Sequence, residues 1–218
     1  MGTPAKEPAA AVTSVPYRVF VLSPADCSGT RARMLRGEAA DHELARRLRG
    51  PQGAELGEVF AFVSSLYFRG KLAYARAFAR APDGHAGIHV ITPCDGLMSP
   101  EAAIRVRDIE RFGRVDVDPD EGRYSRPLLR DLRVLAPAWS ETEVVLLGSV
   151  ASRKYADLLA PVLGPRLLFP SDFVGRGDMS RGGLMLRCVR EGRELSYVPL
   201  VGAERRGPRP ARLTPLAK

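Results

Sequence analysis

The sequence predicts an α/β domain built on a mostly parallel sheet, with a β-hairpin added at one edge near the C-terminal end. Three observations predict it. Short apolar runs suited to strands recur at residues 17–22, 87–92, 143–147 and 166–169. Segments with helical spacing of apolar residues lie between them, the order expected of βαβ units with right-handed crossovers. Each run also ends on a turn signal, at Ser23-Pro24, Pro93, Gly148-Ser149 and Pro170.

The elements follow in order. After the first run, the loop Ala25-Asp26-Cys27-Ser28-Gly29 leads into an arginine-rich helical stretch from about Thr30. Residues 41–48 predict a second helix, with Asp41 as its N-cap. Residues 56–79 are helical by spacing: Val59, Phe62, Val63 and Leu66 form one stripe, and Leu72, Ala75 and Phe78 continue it. Gly70 is the expected break between two helices. Helices are predicted over 102–113, 124–135 and 152–163, and a short strand over 115–117. The segment 171–183 reads as a loop, and 184–189 and 195–200 as two strands joined at Glu191-Gly192. Residues 1–15, dominated by Ala and Pro, and the Pro/Arg-rich residues 202–218 read as disordered tails. That leaves 16–201 as one α/β domain, an ordinary size for a chain of 218 residues.

Composition narrows the function classes. At 45% hydrophobic residues the chain can bury a sizeable core. No apolar stretch approaches a membrane span, so no membrane partner is expected, and the N-terminus does not read as a secretory signal. Cys27, Cys94 and Cys188 are odd in number and widely spaced, which argues against a disulfide framework and points to a reducing cytoplasm. With His42, His85 and His89 the only histidines, no Cys/His metal site is expected. The acidic run Asp116, Asp118, Asp120 and Glu121 reads as a solvated turn rather than a metal site. The net charge of +8, supplied almost entirely by Arg, attracts polyanions and offers planar forks for phosphate.

In open α/β sheets ligands bind beyond the carboxyl ends of the strands, so the polar residues after the strands are the candidate site. In the first loop, Ser23, Cys27, Gly29 and Arg31 are candidates for holding an anion, since small residues before a helix present backbone N–H groups. Cys27 near a helix start could carry thiolate character. In the second loop, Asp95 is the candidate catalytic residue, as general base or as acceptor from a base or ribose, beside Thr92 and Gly96. The third group joins Ser149, Lys154 and Tyr155 to the Gly/Arg segment containing Gly175, Arg176, Gly177 and Arg181. Tyr67, Arg69 and Lys71 interleave an aromatic with cations, a pattern that holds bases and phosphates of single strands. Neither GxGxxG nor a Walker loop is present, and no cofactor or metal is expected.

The ordered motifs Leu22-Ser-Pro-x-x-Cys27, Leu66-Tyr-Phe-Arg-Gly-Lys-x-x-Tyr-Ala75 and Ile91-Thr-Pro-x-x-Gly-Leu-x-x-Pro100 resemble a set of bacterial domains related to the peroxide-stress and DNA-binding protein YaaA. They are also similar to the accessory domain of archaeosine tRNA-guanine transglycosylases. In those domains a Gly-to-Tyr segment near the third helix has its counterpart in Gly148 to Tyr155. The likeness covers roughly 17–183. It departs where Asp26-Cys-Ser-Gly-Thr30 replaces a Cys-Gly-Lys, and where Cys94-Asp95 replaces a Lys-His or Lys-Tyr pair. The resemblance implies a three-layer Rossmann-like, uracil-glycosylase-like fold and an association with nucleic acids or modified bases.

Together these readings give a DNA- or RNA-binding or nucleotide-binding protein, with action on a modified base or an N-glycosidic bond as its enzymatic form. In that form Asp95 orients water or stabilises an oxocarbenium ion, Arg176 or Arg181 holds phosphate, and Tyr67 helps a base leave the stack. Two alternatives stand beside it: a transferase acting on a small nucleotide or phospho-sugar, and a non-catalytic nucleic-acid interaction module.

Overall fold

Apolar runs that alternate with amphipathic segments become strands and covering helices. The computed structural model describes residues 16–37, 40–211 and 213. The expected N-terminal tail, 1–15, lies outside the described residues. In chain order the elements are β1 (Tyr17–Leu22), α1 (Thr30–Arg36), α2 (Glu43–Arg49), β2 (Ala54–Glu55), α3 (Leu56–Ser64), α4 (Leu66–Phe78), β3 (Ile88–Ile91), β4 (Leu97–Met98) and β5 (Ala103–Ile104). There follow α5 (Val106–Phe112), α6 (Gly122–Leu135), β6 (Thr142–Leu147), α7 (Arg153–Leu163), β7 (Leu167–Pro170), α8 (Asp178–Glu191) and β8 (Tyr197–Pro199).

The main sheet has six strands in the order β4-β3-β1-β6-β7-β8. Its four inner strands are parallel, and β4 and β8 are antiparallel edges. The pleat of β1 sends Phe20 and Leu22 to one face and Val19 and Val21 to the other. The first face packs on α1 to α5 and α8; the second packs on α6 and α7. The protein is therefore a three-layer, Rossmann-like α/β fold with an antiparallel strand pair at its C-terminal edge.

Several local expectations are corrected. Residues 184–189 are not a strand but the heart of α8, and the antiparallel pair is β7 with β8. Gly192 is the left-handed residue that stops α8, its N–H returning to Cys188 O and Val189 O. A helix stop and a hairpin turn ask for the same residue. Residues 115–117 form no strand. His42, not Asp41, caps α2.

The break between α3 and α4 falls at Ser65, at φ 53°, a value few non-glycine residues adopt. Gly70 lies inside α4 for another reason. A Cβ there would come 2.7 Å from Gly182 O, and one on Gly182 would come 2.6 Å from Leu66 O. This glycine pair lets α4 and α8 cross backbone to backbone. Residues 203–211 have neither helix nor strand, yet they lie against the body. Arg206 donates to Ala151 O, and a Cβ on Gly175 would strike Pro208 O.

Candidate functional site

Along the parallel part of the sheet the order is β3-β1-β6-β7, so the chain steps from β1 to one side and later to the other. The loops after β1 and β6 separate at this reversal and leave a crevice between them, the place where open α/β sheets bind ligands. The two loops are tightly joined at their root. Ser23 N donates to Leu147 O at 3.1 Å, and a Cβ on Gly148 would lie 3.0 Å from that of Ser23.

The crevice is a cleft of about 590 Å³, within the range of small-molecule sites. One wall is the β1 loop with Ser23, Asp26, Cys27 and Ser28; the opposite wall is Ser149, Ser152, Lys154 and Tyr155. Tyr67 and Ser64 come from the α3–α4 junction, Asp178 from the start of α8, and Val115 to Val117 from the segment after α5.

Beneath the cleft lies Lys71, with no solvent exposure at all. It is carried by α4 to the end of β1. There Nζ donates to Ser23 O at 2.5 Å and to Ser23 Oγ at 2.8 Å, with the Tyr67 and Phe68 rings 4.5 and 4.8 Å away. No carboxylate contacts it within ion-pair distance among the described residues. Burial disfavours the ammonium and brings the Lys71 pKa down to about 7, opposed by Asp178 and aided by Arg181. Ser23 itself is 3% exposed and lies on the cleft floor.

The surrounding groups are tuned by the same physics. Burial holds the Tyr67 phenol protonated far above its ordinary range, and its hydroxyl has no hydrogen-bond partner. Burial likewise pushes the Tyr155 phenol up to about 12. The Asp26 carboxylate is held below its ordinary range first by the Ser28 hydroxyl, which donates to it at 2.6 Å.

The structure brings Ser23, Cys27, Tyr67, Ser149, Lys154 and Tyr155 together, with Lys71 just behind them. Cys27 is no thiolate: burial pushes its thiol up to about 12. The other candidates are engaged elsewhere. Asp95 is in a bidentate pair with Arg111 and lines a different hollow beside His89, Arg130 and Asp131. Thr92 and Gly96 close that turn: Thr92 Oγ1 donates to Gly96 O at 2.9 Å, and Gly96 has φ 72°. Arg31 donates to Phe62 O, and Gly29 caps α1. Arg69 is exposed outside the cleft. Gly175, Arg176 and Gly177 form the entry to α8, where Arg176 donates to Asp172 O. Arg181 is buried behind the cleft and divides its guanidinium between Phe173 O and the Asp178 carboxylate, the latter at 3.4 Å.

Three carboxylates of the cleft, Asp26, Asp116 and Asp178, were missed from sequence. Asp26 stands four residues after the end of β1, a signal that could have found it; Asp178 is placed only by tertiary packing of α8. Among the described residues no three His, Cys, Asp or Glu side chains group as a metal site, and no helix is long and apolar enough to cross a membrane.

A second hollow, of about 850 Å³, adjoins the cleft and shares Val115 with it. Arg107, Arg111, Arg114 and Arg123 line it, together with the carboxylates of Asp108 and Glu110. Arg111 is paired with Asp95 and Asp108, and Arg123 with Glu121. Arg107 and Arg114 are exposed and have no ion-pair partner among the described residues. No protein-family model, curated protein or solved structure matches this chain.

Proposed function

We propose that the protein binds a nucleotide unit, most readily one of a DNA or RNA strand, with its base and sugar in the cleft and its phosphates on the arginine-lined hollow. The observation that carries this reading is the shared wall at Val115 between an acid- and hydroxyl-lined cleft and an open arginine surface. The cleft holds Asp26, Asp116 and Asp178 against a single exposed cation, Lys154. Carboxylates repel phosphate but accept hydrogen bonds from ribose hydroxyls and base amines. Arg107 and Arg114 offer the forks that phosphate requires. The net charge of +8 and the resemblance to YaaA-like domains support the same reading. Asp95, bound by Arg111, has no part in it.

Binding of short single-stranded DNA and RNA, duplex DNA and tRNA across a salt series tests the proposal. The expected result is affinity that falls steeply with salt, by about 0.7–0.9 in logarithmic slope for each phosphate held. The Arg107→Ala/Arg114→Ala double variant should lose one to two such contacts. Failure of every nucleic acid to bind at low salt, or a double variant with an unchanged slope, overturns it.

A further inference from the structure

The cleft floor carries a pairing that ligand binding does not need. Ser23 lies on the cleft floor with the Tyr155 phenol beside its hydroxyl, and a buried amine stands 2.8 Å from its Oγ. An ordinary lysine does not sit without solvent or a carboxylate partner, because burying an ammonium is costly. A neutral amine fits the same place. It keeps an N–H for Ser23 O and turns its lone pair to the Ser23 hydroxyl proton.

We infer that Ser23 is a nucleophile with Lys71 as its general base, and that the cleft hydrolyses a carboxylic ester. Serine–lysine pairs serve acyl transfer on unrelated folds. The electrophile is a neutral carbonyl rather than a phosphate because Asp26 and Asp178 border the floor. Tyr67 lines the cleft and supplies the O–H donor from just beneath its surface: the hydroxyl is buried beside Arg181 and its proton has no acceptor among the described residues. The groups facing Lys71 are Tyr67 from its own helix, Ser23 from the β1 end, and Asp178 and Arg181 from α8. The last two carry opposite charges, so burial dominates and the amine is free of its third proton above about pH 7.

The steps balance. Ser23 Oγ bonds to the ester carbon as its proton passes to Lys71 Nζ and the carbonyl π pair moves to oxygen, where the Tyr67 O–H donates. Collapse breaks the bond to the alcohol, which leaves with that electron pair and takes the proton from Lys71. Water then adds to the acyl-serine, giving its proton to Lys71. Expulsion of Ser23 Oγ, reprotonated by Lys71, releases the acid. This chemistry does not require the ligand to be a nucleotide, so it stands or falls separately from nucleic-acid binding.

The test uses the full chain, a biotinylated fluorophosphonate probe and p-nitrophenyl acetate. Wild type should gain the mass of one probe less HF on the peptide containing Ser23, and both rates should rise through about pH 7 to a plateau. Ser23→Ala should abolish labelling with its circular dichroism unchanged. Lys71→Met should slow both reactions by roughly 10²–10⁴-fold. Should that variant not fold, the wild-type pH profile decides. No labelling of wild type between pH 6 and 9, labelling undiminished in Ser23→Ala, or a rate that climbs with hydroxide without a plateau overturns the inference.

Discussion

The cleft over Ser23 and the hollow under Arg111 adjoin and share Val115, but they are made of opposite materials. In the cleft the decisive groups are buried. Lys71 is brought down to about 7 and the Tyr67 phenol is driven up, both by loss of solvent. In the hollow the arginines are exposed, and two of the four, Arg111 and Arg123, are paired with neighbouring carboxylates. Buried groups acquire reactivity and are sensitive to packing; exposed arginines supply screened, additive attraction. The first region is suited to chemistry and the second to holding a polyanion.

The sharpest way to break the contrast is through the α4–α8 crossing that carries Lys71 and Tyr67. Gly182→Val places a side chain where a Cβ already meets Leu66 O at 2.6 Å and Tyr67 Cα at 2.9 Å. Backbone cannot yield as a flexible side chain does. Unfolding in urea should show a loss of about 3 kcal/mol, with the Ser23 cleft lost before the sheet. A variant as stable as wild type would mean that the crossing is not held this closely.

Lys71 gives the second effect, and its sign follows from proton binding. Its pKa is about 7 when folded, against 10.5 for an ordinary lysine. Between those values the unfolded chain binds more protons, so stability should rise with pH from 7 towards 10.5. The rise is on the order of 2–3 kcal/mol over two pH units, and below pH 7 the cost of the buried ammonium is constant. Lys71→Met should remove that slope. An equal slope in the variant would show that Lys71 stays charged in the folded protein.

These two residues also show what the sequence made legible. β1, β3, β6 and β7 could be read because buried parallel strands are short apolar runs closed by Pro or Gly. Ser23, Ser149 and Tyr155 could be named because they follow strand ends, and Tyr67 from its aromatic–cation pattern; the adjacency of β1 and β6 that joins them in one crevice is set by the sheet order. Lys71 could be named but not understood, since in a Tyr-Phe-Arg-Gly-Lys segment nothing local tells a buried cation from a solvated one. The glycines around Arg181 looked like a mobile loop; Gly182 is instead a contact surface of a helix, and its partner Gly70 lies over a hundred residues earlier. Asp95 sat at a strand end as expected, yet Arg111, from the next helix, claims it.

In the arginine hollow, effects on stability should be small and effects on binding distinct. Arg107→Ala/Arg114→Ala should change stability by no more than about 0.5 kcal/mol, as for exposed positions without partners. Asp95 should affect stability by the same small amount and the chemistry not at all. Its pair with Arg111 is bidentate, but the two side chains are 28% and 48% exposed, and Asp108 remains to hold Arg111 at 2.9 Å. A surface pair of this kind contributes about 0–1 kcal/mol, so Asp95→Asn should shift the urea midpoint slightly and less in high salt. It should leave labelling of Ser23 unchanged, because Asp95 faces another hollow. A large drop in labelling with stability intact would place Asp95 back among the reacting groups and erase the distinction between the two regions.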